Sequence, residues 1–217
     1  MNDELRLDPR TTVALTIDMQ RMYLDPRVRG KPLPADEARS VVDTACRFLE
    51  ACRQMGMPVV HAYVERRAVE LGARLGLRRF TESFRDASGA PASAVPDRLE
   101  RSPQAELSPS LVRDGDIHVR SKKTSDCFYG TELDLLFTRA LRPDAVVLLG
   151  INTETCVYAT AFAASIRGYR PVVASDCVGS PRGADHSHLA LELLSRTIAW
   201  VVPSDGIVSA LRKTRAS

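Results

Sequence analysis

Six short apolar runs recur along the chain with helical patterns between them. They are TTVALTID at 11–18, MPVVHAYV at 57–64, GDIHVRS at 115–121, DAVVLLG at 144–150, RPVVASD at 170–176 and TIAWVVP at 197–203. Short β-branched runs without a polar face read as strands buried on both sides. The intervening segments are long enough to carry crossover helices, which makes successive strands parallel and the crossovers right-handed. The pattern predicts an α/β fold: a three-layer, doubly wound sandwich around a six-stranded, mostly parallel sheet of order 3-2-1-4-5-6.

The helices are placed by their caps and apolar faces. One is predicted from Asp36 as N-cap, with Ala38, Val41, Val42, Ala45, Phe48, Leu49, Cys52 and Met55 on one side and Gly56 closing it. Others are expected over 131–141, 155–167 and 186–196, with a short helix closing the chain. Residues 65–112 break the rhythm, first Arg-rich and then rich in Pro, Ser and Ala. They read as a loop or lid inserted into a single domain spanning 1–217.

Charge and composition exclude several functions. Thirty basic residues against 27 acidic ones give a net charge of +3, spread along the chain. No basic stripe offers itself to a phosphate backbone, so nucleic acid is not an expected partner. No apolar run reaches the roughly 20 residues of a membrane helix, and MNDELRLDPR lacks the apolar centre of a signal peptide. A cytoplasmic protein without membrane contact is expected. Cys46, Cys52, Cys127, Cys156 and Cys177 are odd in number and form no CxxC pair, which argues against disulfides and zinc. The four histidines, His61, His118, His186 and His188, show no ligand spacing, so neither metal nor cofactor is expected.

Ligands of an open α/β sheet bind beyond the carboxyl ends of the strands, where strand order reverses. Strands 1 and 4 meet there. The first ends at Asp18, and the fourth runs through LLGINTETC to Cys156 at the start of a helix. Alone, either residue reads as a turn former or a packing residue. The third strand leads into SKKTSDCFYGT, and side-chain alternation lets only one of Lys122 and Lys123 enter the same crevice. An acid, a cation and a thiol around one point suit acyl transfer. Asp18 would relay the proton, and the helix start and ammonium are expected to lower the thiol's pKa. Amides in the GINTETC turn would receive an oxyanion.

The segments LTIDMQRMYLD, KKTSDCFYGTELDLLF and VVLLGINTETCVYATAFAASIRGYRPVVASDCVGS resemble the isochorismatase-like cysteine hydrolases, with the match running from about residue 11 to 203. The resemblance implies a catalytic trio of Asp18, Lys122 and Cys156. Lys122 is preferred over Lys123 because it stands six residues before Phe128. It also implies a cis Ile151–Asn152 bond and an oxyanion hole built from the amides of Asn152 and Cys156. Gln20, Tyr23 and Phe128 are candidate substrate-binding walls. Cys127 and Cys177 are expected to pack near the pocket, and the Arg-rich 66–85 segment to hold a substrate carboxylate, face solvent or form a subunit contact. His61 lacks the companions of a metal site. The expected function is thioester-mediated hydrolysis of a C–N bond in a small amide, ureide or carbamoyl compound, by a homodimer or homotetramer. The alternatives are a non-catalytic small-molecule-binding scaffold and hydrolysis of an isochorismate-like vinyl ether.

Overall fold

In the computed structural model, residues 5–71 and 98–215 are described. Six strands form one sheet: β1 Thr12–Ile17, β2 Val59–Ala62, β3 Ile117–Val119, β4 Ala145–Ile151, β5 Arg170–Gly179 and β6 Trp200–Val202. Their order is β3-β2-β1-β4-β5-β6, and every pairing is parallel. The sheet is therefore parallel throughout rather than mostly so, because each connection crosses back over one face before the next strand begins.

Alternation along the strands divides the core in two. Val13, Leu15 and Ile17 of β1 with Val146 and Leu148 of β4 pack beneath Leu133, Phe137, Ala161 and Leu194. Ala14, Val147, Leu149 and Ile151 face the other way, against Val41, Ala45, Phe48, Leu49, Ile207 and Leu211. Helices Ala35–Gln54 and Ser204–Arg215 thus cover one face, and Tyr158–Ile166 and Ala184–Thr197 the other. Burying each Leu or Phe in such a layer stabilises the fold by roughly 1.5–3 kcal/mol.

Several boundaries differ from the sequence expectation. The second helix starts at Ala35 after Pro34 with no side-chain cap, and Asp36 instead pairs with Arg39 at the surface (3.0 Å). Pro34 supplies a fixed φ at the helix entry, so a capping side chain is not required. Gly56 does end that region, at φ 78°. The expected 131–141 helix has one α-helical turn, Leu133–Leu135, and then widens to π-type bonding over Leu136–Leu141. The Thr131 hydroxyl accepts from the Leu133 amide (3.1 Å) at its start. The 155–167 helix likewise begins with a π-type turn, Thr153–Val157. Strand β6 is shorter than 197–203 because the preceding helix runs on to Thr197 and Pro203 cannot donate to a ladder.

Both ends of the long excursion are anchored. The Arg66 amide donates to the Arg98 carbonyl (2.7 Å), and the Glu100 amide donates to Arg66 (2.8 Å), forming a parallel bridge between Arg66 and Leu99. Leu107 bridges to Gln20, and Ala105, Leu107 and Leu111 are buried. Residues 98–112 thus pack on the body of the fold. Most of the Arg-rich stretch, 72–85, lies outside the described residues.

Candidate active site

The strand order brings the ends of β1 and β4 side by side, with Ile17 opposite Gly150. Gly150 sits at φ 136°, and a Cβ there would lie 2.0 Å from the Ile17 carbonyl oxygen. Only glycine lets the two strand ends approach this closely. Immediately beyond, Asp18 adopts a left-handed backbone (φ 50°), uncommon for a residue with a side chain. Its amide donates to the Ala62 carbonyl of β2 (2.9 Å), and its own carbonyl accepts from Gln20 (2.6 Å). This turn sends the Asp18 carboxylate into the protein, where the residue is 0% exposed.

Lys122 is equally enclosed, at 1%. Its Nζ lies 2.6 Å from Asp18 Oδ2 and 3.5 Å from Cys156 Sγ, so one ammonium bridges acid and thiol. The other carboxylate oxygen, Asp18 Oδ1, is buried without a hydrogen-bond partner. Lys123 turns aside: its Nζ pairs with Glu70 Oε2 (2.9 Å) and donates to the Glu65 carbonyl. Chain alternation after β3 thus separates the two lysines, as period-2 geometry requires.

The electrostatics correct one expectation. The Cys156 thiol is not lowered but pushed up: burial dominates, the Asp18 carboxylate adds to it, and Lys122 and then Arg98 oppose. Desolvation of a thiolate outweighs a single ammonium at this depth, so the resting sulfur carries its proton. Burial also works against the Lys122 ammonium, yet the Asp18 carboxylate, by its charge and its hydrogen bond, leads the influences that offset it and raise its pKa. A permanent cation therefore sits beside a protonated thiol and an acceptor oxygen with no other partner.

The Ile151–Asn152 peptide is cis. The Thr155 and Val157 amides close onto the Asn152 carbonyl (3.2 and 3.1 Å), fixing the turn that carries Cys156. Tyr23, 9% exposed, has its hydroxyl pKa raised by burial and feels the charges of Arg98, Asp18, Cys156 and Lys122. Arg98 Nη1 donates to that hydroxyl (3.3 Å). The other two proposed wall residues are held differently. Gln20 is fully buried, and its Nε2 donates to the carbonyls of Val64 and Ala105 (2.8 Å each), tying β1 to both ends of the excursion. The Phe128 ring is 1% exposed, stacks on Tyr169 (6.1 Å), meets Phe137 edge-on and lies beneath the Arg167 guanidinium.

Sequence reasoning missed Arg98 and the Glu70–Lys123 pair, since neither shows until the excursion's return path is known. Cys127 and Cys177 are both buried, with thiols pushed up chiefly by desolvation. Cys52 is raised the same way to about 12, while Cys46, half-buried, donates to the Ser110 carbonyl (3.4 Å). His61 belongs to a buried polar chain on the opposite face of β2. Burial keeps its ring neutral, so Nε2 donates to Asp116 (3.0 Å) and Nδ1 accepts from Thr16 (2.7 Å). Arg53 completes the chain with two bonds to Asp116 (3.0 and 2.7 Å). Among the described residues no three His, Cys, Asp or Glu side chains cluster as metal ligands, and no helix is long and apolar enough to cross a membrane.

Residues 12–205 match the isochorismatase domain. Maleamate amidohydrolase of Pseudomonas putida is 29% identical over 177 residues, covering 82% of this chain and 76% of its own. A cysteine hydrolase from Pseudomonas syringae pv. phaseolicola superposes with a TM-score of 0.78 at 19% identity, covering 96% of both chains. N-carbamoylsarcosine amidase from Thermoplasma acidophilum superposes at 0.67 with 25% identity, over 90% of this chain and 97% of the other. Sheet order, the span of the match and these neighbours agree: the chain belongs to the isochorismatase family of hydrolases.

Proposed function

We propose that the protein is a cysteine-dependent amidohydrolase that cleaves the C–N bond of a small amide, ureide or carbamoyl compound. The observation that carries this reading is the buried Lys122 ammonium, 2.6 Å from Asp18 and 3.5 Å from Cys156, with Asp18 Oδ1 left unpartnered. Two relatives are named for amide-cleaving activities, maleamate amidohydrolase and N-carbamoylsarcosine amidase.

Asp18 Oδ1 takes the Sγ proton as sulfur attacks the carbonyl carbon, so no free thiolate accumulates in a site that disfavours it. Lys122 stays charged and steadies the negative sulfur. The carbonyl oxygen becomes an oxyanion, received by the amides of Asn152 and Cys156. Collapse breaks the C–N bond, and protonated Asp18 gives its proton to the departing nitrogen, leaving an acyl thioester. Water then loses a proton to Asp18 and adds to the thioester carbon. When that intermediate collapses, sulfur leaves and regains the proton, and the acid product departs. Tyr23 lines the substrate side of this space.

The test is turnover of an amide panel by wild-type protein and by Cys156→Ala and Cys156→Ser. The alanine variant should lose at least about a thousandfold in kcat, since no step above survives without sulfur. An acyl adduct on Cys156 should appear by mass spectrometry when turnover is quenched. Full amide turnover by Cys156→Ala would overturn the proposal, as would wild-type protein that turns over no amide while still binding one.

A further inference from the structure

Two consecutive lysines follow β3, and only the first enters the catalytic trio. The second is anchored where it can set the position of the first. Past Val119 the chain runs beside the outgoing stem of the excursion: Ser121 forms an antiparallel bridge with Val64, and Arg120 Nη1 lies 3.8 Å from Glu65 Oε2. Lys123 then closes the clasp. Its Nζ donates to the Glu65 carbonyl and pairs with Glu70 Oε2 (2.9 Å).

Glu70 differs from the acid of an ordinary surface ion pair. It is only 8% exposed, it sits in the short turn Ala68–Leu71, and Arg67 holds both of its oxygens. The Arg67 amide donates to Oε2 (3.0 Å) and its Nε to Oε1 (2.8 Å). A carboxylate fixed in this way gives Lys123 one resting place, whereas an exposed pair lets both side chains wander.

On the other side of the same backbone, Lys122 reaches Asp18 Oδ2 (2.6 Å) and Cys156 Sγ (3.5 Å). Neighbouring residues of an extended chain point oppositely, so the backbone between the two lysines is held from both sides. Its placement decides how closely the Lys122 ammonium meets sulfur. At an effective dielectric of about 20, withdrawing Nζ by about 1.5 Å from its 3.5 Å contact weakens its hold on a thiolate about tenfold.

We infer that Lys123 and Glu70 form a positioning pair that keeps the Lys122 ammonium against Cys156, so that the stem of the excursion serves catalysis although neither residue is a reacting group. The catalytic role rests on the amidohydrolase reading, but the positioning is measurable without turnover.

The experiment follows alkylation of Cys156 by iodoacetamide at about pH 8, below the ordinary thiol value of 9.0, where the rate tracks the thiolate fraction. It uses the full chain as wild type, Glu70→Gln, Lys123→Met, the double variant and Lys123→Arg. Half-buried Cys46 is the internal reference, peptide mass spectrometry resolves each cysteine, and urea denaturation checks that every variant is folded. Removing either partner should lower the Cys156-to-Cys46 ratio about tenfold, and the double variant should match the single ones, because the pair acts as a unit. Lys123→Arg should stay within about threefold of the wild type, since it restores the charge. On an amide that the wild type hydrolyses, the damaged variants should lose about tenfold in kcat with KM changed by less than about twofold. A pair that is merely structural would lower the urea midpoint and leave the alkylation ratio where it was, which would overturn the inference. A double variant whose loss equals the product of the single losses would overturn it too. Lowered ratios in a protein that hydrolyses no amide would uphold the positioning and remove the hydrolase reading instead.

Discussion

Replacing Asp18 by Asn keeps the shape of the side chain and removes its charge. In the native protein Lys122 Nζ stands 2.6 Å from Oδ2, and both residues are at most 1% exposed. At an effective dielectric of about 20, that separation corresponds to about 6 kcal/mol of attraction, set against several kcal/mol of desolvation for each ion. Breaking one side of such a pair costs about 3–5 kcal/mol, because the remaining charge stays buried. For a chain of this length the loss lowers Tm by roughly 6–20 °C. The diagnostic feature is the pH dependence. Burial, the larger influence on Lys122, then acts without its carboxylate, so the folded ammonium titrates below its ordinary 10.5. Between that lowered value and about pH 10.4, the unfolded chain holds more protons than the folded one. Stability of Asp18→Asn must therefore rise with pH there, by up to about 1.4 kcal/mol per unit. Wild-type Lys122 is shifted upward instead, so its contribution is complete below about pH 10.4 and is lost above it. Urea denaturation of both proteins from neutral pH to about 10 should show the gap closing. A constant gap would refute the claim that Asp18 holds the Lys122 charge. Asp18→Asn combined with Lys122→Met should be more stable than Asp18→Asn alone, since no unpaired ion remains.

Three further outcomes follow from the same geometry. Alkylation of Cys156 by iodoacetamide should climb about tenfold per pH unit beyond the ordinary thiol value of 9.0, because burial pushes this thiol up; a plateau near neutrality would contradict that. Gly150→Ala, forced to φ 136° with its Cβ 2.0 Å from the Ile17 oxygen, should lose more than about 3 kcal/mol by chemical denaturation or fail to fold, and a near-native midpoint would show that the strand ends can part. Burial raises the Asp116 carboxyl, but bonds from Arg53, His61 and Arg113 outweigh it and hold the value at about 2, so its contribution of about 2 kcal/mol is present above pH 4 and disappears as pH falls toward 2. His61, kept neutral by burial, adds a loss that begins below about pH 6.5, and Asp116→Asn should flatten the lower part of the measured stability–pH curve.

The residues that were legible in the sequence are those whose position follows from period and crossover rules. Asp18 and Cys156 end strands that a right-handed parallel sheet makes neighbours, and alternation after β3 admits one lysine and turns the next away. What stayed hidden depends on long-range closure. The sign of the Cys156 shift is set by how completely the crevice excludes water, which no local pattern encodes. Gln20 reads as a polar residue beside a site; its Nε2 donates to Val64 and Ala105, and the second of these partners is fixed only by the return of the excursion. Arg98 stands among many arginines, and it acquires meaning only because the Arg66–Leu99 bridge sets it beside Tyr23.

That bridge has a further consequence. The chain leaves the scaffold at Arg66 and rejoins it at Leu99 as a hydrogen-bonded neighbour, so everything between hangs from a gate that is already shut. Lengthening or shortening what passes through such a gate alters closure entropy by only about 0.6 kcal/mol per doubling. Insertions or deletions between Arg66 and Leu99 should therefore leave the assembly of the sheet nearly untouched.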